Sequence, residues 1–361
     1  MTTNLNQDWP EPIVRVQSLS ESGCSAVPSR YIKPPSDRPN VFSVASPSMN
    51  IPIIDIYGFA LDQDDSLRQT ILNQISDACR NWGFFQIINH GIRGELLDDV
   101  RRAWYDFFKL SVEMKQAYAN NPKTYEGYGS RLGVQKGAIL DWSDYFFLHY
   151  LPSHLKDHSK WPAIPDFIRE MTEEYGEEVV KVGGQLLKLL SLNLGLQEGY
   201  LQNAFGGEEV GACLRVNYYP KCPQPELTLG LSSHSDPGGL TFLLPDDKVA
   251  GLQVRKDEKW ITVKPAAHAI IVNVGDQVQV LSNAIYKSVE HRVIVNSDKE
   301  RVSLAFFYNP KSDIPIEPAK ALITQDRPAL YPPMTFDEYR LFIRTRGPQG
   351  KSQVDALKSP R

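Results

Sequence analysis

The chain lacks the sequence features that mark membrane-spanning, secreted and zinc-module proteins. Only four of its 361 residues are cysteines, and no two of them form a C-x-x-C pair. This scarcity argues against a cysteine-rich zinc module and predicts free thiols in a reducing, cytoplasmic compartment. No apolar run approaches the roughly 18 residues that a transmembrane helix requires. The first residues carry neither a basic nor an apolar segment, so we expect no secretory signal there.

Strong charge and internal repeats are also missing. The formal net charge is −4, with acidic and basic residues interspersed, so neither nucleic acid nor a membrane is indicated as a partner. The absence of a repeat, a heptad pattern or a charge tract argues against an interaction protein. Apolar residues make up 42% and charged residues 23% of the chain, which is ordinary for a globular protein with a substantial core.

Composition changes along the chain and predicts four regions. A Pro-, Ser- and Asn-rich extension comes first, and a helix-rich region follows it. A third region alternates short β-branched and aromatic runs with Pro, Gly and Asp turns, which is typical of a sandwich or jelly roll. A C-terminal helix and tail come last. The predicted regions are 1–50, 51–205, 206–312 and 313–361. The expected fold class is mixed α/β with a mainly β core, in which helices flank the barrel.

Two of the seven histidines stand in extended-looking runs, and one of the two has an aspartate two residues after it. In a strand, side chains at i and i+2 share a face, so His234 and Asp236 in LSSHSD should project together. His291 lies in KSVEHRVIV. Two imidazoles and one carboxylate on one side of a metal suit a non-haem Fe(II) that must bind O2 and a co-substrate. An isolated H-x-D also arises by chance, and zinc accepts the same ligands, so a hydrolytic or non-catalytic metal site stays an alternative.

Two further strands carry residue types that bind carboxylates. Arg301 and Ser303 in RVSLAFFYN place a guanidinium beside a hydroxyl, a good cradle for a carboxylate tail. Arg215, Asn217 and Tyr219 share one face of the strand LRVNYY. If that face lines the cavity, the amide and phenol can hydrogen-bond a dicarboxylate and Arg215 adds a second cation. The alternative is a strand whose polar face is solvated.

The predicted C-terminal helix repeats this pattern. Phe336 and Arg340 are four residues apart and therefore lie on one side of the helix. Alone, the pair would more often be a packed ring beside a solvated arginine. Beside a carboxylate-binding cavity, it could hold a substrate acid from above.

The chain resembles the plant branch of the 2-oxoglutarate- and Fe(II)-dependent dioxygenases over nearly its whole length. The motifs that carry the resemblance are IPIIDI, WGFFQIINHG, YEGYGSRLG, LRVNYYP, HSDPGGLTFLLPD, VNVGDQVQVLSN, YKSVEHRV and RVSLAFFYNP. The resemblance implies a double-stranded β-helix, or jelly-roll, barrel. It also implies that His234, Asp236 and His291 ligate Fe(II) and form the catalytic centre. Arg301 and Ser303 would hold the distal carboxylate of 2-oxoglutarate, supported by Asn217 and Tyr219.

A closer similarity is to the jasmonate-induced oxygenases, which hydroxylate jasmonic acid at C-12 and so turn down the signal of this plant defence hormone. It rests on PIVRVQSLSES, SRYIKPPSDRP, YEGYGSRLGVQKGA and MTFDEYRLFIRTRGPQGKS. This similarity implies that Arg215 and Arg340 hold the hormone's carboxylate and that Phe336 packs on it. The implied cofactors are Fe(II), 2-oxoglutarate and O2, with ascorbate as a supporting reductant. A flavonoid, gibberellin or strigolactone-pathway acid is the alternative substrate.

Overall fold

The computed structural model describes residues 9, 11–39, 49–57, 65–131, 135–346 and 352–358. Parts of the predicted extension (1–50) and tail (313–361) therefore lie outside the described residues. The α-helices are α1 Val16–Glu21, α2 Asp65–Asn81, α3 Gly94–Lys109, α4 Val112–Gln116, α5 Ile168–Asn193, α6 Tyr200–Ala204, α7 Asp276–Leu281, α8 Phe336–Arg346 and α9 Ser352–Ala356. The strands are β1 Ile53–Asp55, β2 Phe84–Ile88, β3 Gly127–Gly129, β4 Asp144–Leu151, β5 Gly211–Tyr219, β6 Leu231–His234, β7 Leu240–Leu244, β8 Leu252–Lys256, β9 Lys259–Thr262, β10 Ile270–Val274, β11 His291–Val293, β12 Arg301–Asn309, β13 Pro315–Ile316 and β14 Met334–Thr335.

Two sheets form the β core of the described chain. The larger has eight strands in the order β1-β2-β10-β7-β12-β5-β4-β3, and the smaller has four in the order β6-β11-β8-β9. Every neighbouring pair in both sheets is antiparallel except β1 and β2. This arrangement confirms the predicted β core flanked by helices, and every strand predicted between 206 and 312 is present.

One face of the large sheet packs against helices, and the other faces the small sheet. Side chains alternate between the two faces along each strand. The helix-side residues join α2, α3 and α5 in one apolar core and include Phe85, Phe146, Leu214, Phe242, Val272 and Phe306. The opposite face carries polar side chains among its members, including Tyr145, Asn217, Thr241, Asn273 and Ser303. The sheet thus buries one apolar face against the helices, and its other face presents the polar side chains that a functional site requires.

The helices α2, α3 and α5 each bury apolar residues in the core that they share with the sheet. α2 ends two residues before Gly83, which adopts a φ of 64° and donates its backbone N–H to Ala78 O, as a helix-terminating glycine does. α3 and α5 are joined by the buried Trp104 indole, which donates to Thr172 Oγ1 at 3.1 Å. None of the helices that the structure describes combines the length and apolarity needed to cross a lipid bilayer.

Strand β4 was missed in the sequence. The Gly-rich stretch 125–144 predicts a loop or hairpin, whereas DYFFLHYL, which begins at its end, forms a long strand paired with β5. Aromatic side chains lie on both of its faces, so the strand has no alternation between apolar and polar residues. The pattern on which strand prediction depends is therefore absent.

Candidate metal centre

His234 and Asp236 converge between the two sheets with His291, which is distant from both in sequence. One nitrogen each of His234 and His291 and one oxygen of Asp236 all lie within 4.8 Å of one another. Both Nε2 atoms are 3.6 Å from Asp236 Oδ1. Pairing of β6 with β11 sets the two histidines directly opposite each other, which gives a ring-centroid distance of 4.2 Å. Three donor atoms at this spacing can bind one metal ion on a single side.

The remaining ring nitrogens of both histidines are held by backbone carbonyls. His234 Nδ1 lies 2.8 Å from Ser232 O, and His291 Nδ1 lies 3.2 Å from Val289 O. A proton on each Nδ1 satisfies these carbonyls and leaves the Nε2 lone pair directed at the site. Burial, together with the neighbouring His291, lowers the pKa of His234 to about 4, so the imidazole is neutral at pH 7 and able to bind a metal.

The two carboxylate oxygens of Asp236 have different surroundings: one accepts hydrogen bonds from neighbouring side chains, and the other faces the two histidines. Oδ2 accepts hydrogen bonds from Thr241 Oγ1 at 2.5 Å and from Asn273 Nδ2 at 2.7 Å, so Oδ1 is left facing the imidazoles. Burial alone would raise the Asp236 pKa, but the two histidines and the two donors outweigh it and hold the pKa below its usual value. The carboxylate is therefore ionised and fixed in orientation.

We expect Thr241→Val to weaken metal binding by about tenfold, because supporting partners of metal ligands typically contribute 10- to 100-fold. Valine preserves the shape of threonine and removes the O–H that donates to Asp236. Titration of the purified protein with Mn(II), a redox-stable divalent ion, measures the effect. Thr172→Val is the matched control: it also removes a buried hydroxyl, but between α3 and α5. Equal affinities for the two variants would contradict the role of Thr241.

One prediction about this segment was wrong. β6 ends at His234, so Asp236 is not its i+2 partner on a strand but lies in the loop that follows. That loop is tied to α7 through three backbone hydrogen bonds, one of which runs from Asp276 N–H to Asp236 O at 2.8 Å. Pro237 has no N–H to continue a strand. A Cβ at Gly238 would collide with Asn309 Oδ1, so a larger residue there would require the Asn309 side chain to move.

A buried arginine lies on the same face of the large sheet as the two residues that support Asp236. Arg301 is 3% exposed, and its guanidinium donates to Val249 O and Ser303 Oγ, both at 3.2 Å. It also stacks 5.1 Å from the ring of Tyr219. No aspartate or glutamate of the described chain forms an ion pair with it. A buried cation without a counterion is costly, which makes Arg301 a candidate anion-binding residue.

The predicted face of β5 points into the same space. Asn217 and Tyr219 are buried, which rules out a solvated polar face, and Asn217 Oδ1 accepts from Arg215 Nε at 2.7 Å. The guanidinium of Arg215 lies 4.2 Å from the ring centroid of Tyr145 on the neighbouring strand. Tyr145 was not predicted from the sequence because it belongs to the missed strand β4.

Helix α8 places its two predicted residues at the edge of this space. Phe336 is buried, whereas Arg340 is half exposed, with its guanidinium 4.9 Å from the Phe336 ring. Arg340 pairs with Asp337 and donates to Ser312 Oγ at 3.2 Å. Burial raises the pKa of the Cys213 thiol to about 12, and the charges of Arg340 and Arg215 oppose that shift.

Comparison with known families gives two matches that together span most of the chain. Residues 210–310 match the 2OG-Fe(II) oxygenase superfamily, and residues 51–164 match the N-terminal region of non-haem dioxygenases in morphine synthesis. The first match contains both β6 and β11, which carry the two histidines of the centre.

Individual relatives align over almost the entire sequence. The chain is 66% identical to jasmonate-induced oxygenase 2 of Arabidopsis thaliana, over 98% of this chain and 95% of the relative. It is 42% identical to flavanone 3-dioxygenase 2 of Oryza sativa subsp. japonica, over 90% and 92%. The crystal structure of JOX2 in complex with 2OG, Fe and JA superposes with a TM-score of 0.91 at 65% identity, covering 98% of this chain and all of that one.

Proposed function

The chain belongs to the 2-oxoglutarate- and Fe(II)-dependent oxygenases, and we propose that it hydroxylates jasmonic acid at C-12 and thereby turns down jasmonate signalling. The observation that carries the proposal is an unpaired, buried Arg301 beside a two-histidine, one-carboxylate centre. The pair Arg301 and Ser303 favours an oxygenase over a hydrolytic metal site, because hydrolysis needs no 2-oxoglutarate cradle. Similarity to a protein solved with 2OG, Fe and JA supports the choice of substrate.

The donor set fits Fe(II). His234 Nε2, His291 Nε2 and Asp236 Oδ1 would hold the metal from one side and leave the other side open. When bound, Fe(II) with 2-oxoglutarate and O2 supplies the oxidation: one oxygen atom enters a C–H bond while 2-oxoglutarate is decarboxylated to succinate and CO2. The protein contributes the positions of the reactants and the surrounding charges.

The face of β5 and β12 would receive 2-oxoglutarate. Arg301 and Ser303 stand at i and i+2, and β12 pairs with β5 so that Arg301 lies opposite Tyr219 and Ser303 opposite Asn217. A guanidinium and a hydroxyl together would bind the distal carboxylate through charge-assisted hydrogen bonds. Tyr219 and Asn217 would support this group from the neighbouring strand. The cosubstrate's negative charge would then compensate the buried Arg301.

Arg215, Arg340 and Phe336 would bind the acid end of jasmonic acid. Arg215 already lies on the cavity face, held by Asn217 and the ring of Tyr145. Arg340 can exchange its exposed pair with Asp337 for a substrate carboxylate, because exposed ion pairs contribute little to stability. Phe336 would pack on the bound acid. With the carboxylate held there, the far end of the substrate can extend toward the metal.

We expect Arg215→Ala and Arg340→Ala each to raise the KM for jasmonic acid by roughly 10- to 150-fold, the equivalent of losing a charge-assisted contact of about 1.5–3 kcal/mol. Metal and 2-oxoglutarate affinities should be unchanged. Succinate release at varied jasmonic acid concentration measures the effect. Arg102→Ala, which removes an exposed cation paired with Asp99 on α3, is the control. Normal KM values in both cavity variants would refute this carboxylate site.

The substrate class itself is tested by comparing three compounds. Jasmonic acid should stimulate succinate release, whereas its methyl ester, which lacks the charged carboxylate, and a flavanone should not. Stimulation by the flavanone alone would assign the chain to a different branch of the family. Equal stimulation by acid and ester would show that the arginines do not select a carboxylate.

We also propose that the enzyme works in the cytosol. Its four cysteines are all unpaired, and burial raises the pKa of the Cys222 thiol to about 12, which makes that thiol unreactive. A reducing compartment preserves such thiols and also keeps iron in the Fe(II) state. This location can be tested by isolating the protein under alkylating conditions and measuring the oxidation state of its cysteines.

A further inference from the structure

We propose that a turn in the N-terminal extension, residues 33–38, positions both metal-binding histidines. This 33–38 turn is closed by hydrogen bonds from Asp37 N–H to Pro34 O at 2.9 Å and from Arg38 Nε to Lys33 O at 2.8 Å. It contacts the strand of His234 through Lys33 and the strand of His291 through Asp37. The inference rests on the proposed function in one respect, that these two histidines bind the metal.

Lys33 is the first of the two contacts. Its ammonium is buried and donates to Leu140 O at 2.9 Å, to Asp141 Oδ1 at 2.8 Å and to Ser232 Oγ at 2.9 Å. An ammonium has three N–H donors, so all of them are used. Ser232 Oγ in turn donates to Asp141 Oδ1 at 2.6 Å. Lys33 thus joins the extension, the segment before β4 and strand β6 in one buried cluster.

Ser232 transmits this contact to the centre. Its carbonyl oxygen lies 2.8 Å from His234 Nδ1, so the position of Ser232 sets the orientation of the His234 ring. A shift of that carbonyl would turn the ring and move Nε2 away from the point where the three ligand atoms meet. Lys33 therefore acts on the metal through Ser232 and His234 and is a positioning residue.

The second contact reaches the neighbouring strand. Arg292 follows His291 directly, is buried, and donates from Nη1 to Asp37 O at 3.1 Å. Its Nε donates to Gln253 Oε1 at 2.9 Å, and its guanidinium lies 4.2 Å from the Trp260 ring centroid. The side chain of Arg292 therefore contacts both the neighbouring strands of the small sheet and the 33–38 turn. The same turn thus holds β6 and β11 together from outside the centre.

The strand that carries His234 needs such support. β6 is an edge strand of the small sheet, with β11 as its one neighbour in the sheet order. The pairing between them is short and irregular: His291 is opposite His234, Val293 is opposite Leu231, and the register shifts between these two pairs. Few ladder hydrogen bonds therefore fix β6, and the contact from Lys33 to the Ser232 side chain supplies a further fixed point on the strand.

The test compares two buried lysines that both anchor the extension. Lys33→Met removes the contact to β6, while Lys115→Met removes a lysine that donates to Gln17 Oε1 and Phe108 O and to no residue of β6 or β11 in the described chain. Both variants should lower the Tm of the full-length protein without metal. We expect Lys33→Met to raise the Kd for Mn(II) about tenfold or more, and Lys115→Met to change it less than about twofold.

A second variant covers the case in which Lys33→Met does not fold. Ser232→Ala keeps the carbonyl that holds His234 and removes the hydroxyl that Lys33 binds, so it should also raise the Kd for Mn(II), by a smaller factor. An unchanged Kd in Lys33→Met, or in Ser232→Ala where that is the variant used, would overturn the inference. An equal rise in Lys115→Met would overturn it as well, because the effect would then be general destabilisation. Absence of Mn(II) binding in the unmodified protein would instead refute the proposed metal centre.

Discussion

Asp236→Asn is expected to abolish turnover and to weaken Mn(II) binding by at least about 100-fold, the upper end of the effect of losing a mere supporting partner. The amide has the size of the carboxylate, but it carries no negative charge and is a weak ligand. In one of its two orientations, the new amide would also place its NH₂ group against the NH₂ group of Asn273, which donates to Asp236 Oδ2 in the unmodified protein. Mn(II) titration and succinate release measure the two effects.

Asp144→Asn is the matched control for this experiment. Asp144 is also a fully buried carboxylate, and its oxygens accept the backbone N–H groups of Val16 and Gln17 at the start of α1. Its replacement should lower the Tm and leave the Kd for Mn(II) nearly unchanged. If the two variants bound Mn(II) equally well, Asp236 would not be a metal ligand.

Arg301→Met is expected to raise the KM for 2-oxoglutarate by roughly 100-fold, since it removes a charge-assisted contact to a carboxylate inside a desolvated site. The Tm without cosubstrate should stay equal or rise, because the arginine is buried without a counterion and methionine removes an uncompensated charge. If Arg301 only supported the fold, its replacement would lower the Tm and leave the KM for 2-oxoglutarate unchanged. Steady-state kinetics and thermal unfolding of one preparation provide both values.

The control for Arg301 is another buried arginine that stacks on a tyrosine. Arg15 lies 4.3 Å from the ring centroid of Tyr128 and donates to Gln116 and Ser130, which anchors the extension. Arg15→Met should therefore lower the Tm and leave the KM for 2-oxoglutarate unchanged. Arg301→Lys, which keeps the charge but loses the planar fork, should give an intermediate KM. A normal KM in Arg301→Met would exclude it from the cosubstrate site.

The sequence predicted those parts of the fold and site that depend on local pattern. Strands of the barrel alternate in polarity, so β5 and β12 could be recognised, and with them the shared faces of Arg215 with Asn217 and of Arg301 with Ser303. Strand β4 could not be recognised, because aromatic side chains on both faces hide its period.

Other parts depend on which strands become neighbours, and a single sequence does not contain that information. Thr241 and Asn273 support Asp236 because β7 pairs with β10 and brings these two residues opposite each other. Lys33 reaches Ser232 only because the extension folds back against the small sheet. Neither the pair Thr241 and Asn273 nor the pair Lys33 and Ser232 has a spacing in the sequence that would identify it as part of the site. Long-range pairing therefore determines the supporting contacts, while local pattern indicates the ligands.

Oxygen incorporation from ¹⁸O2 tests the central claim most directly. The purified protein is incubated with Fe(II), ascorbate, 2-oxoglutarate and jasmonic acid under ¹⁸O2, and the products are analysed by mass spectrometry. The account predicts hydroxyjasmonate carrying one ¹⁸O atom at C-12, formed together with an equal amount of succinate. Unchanged jasmonic acid in the presence of bound iron and cosubstrate, or a product oxygen that derives from water, would contradict it.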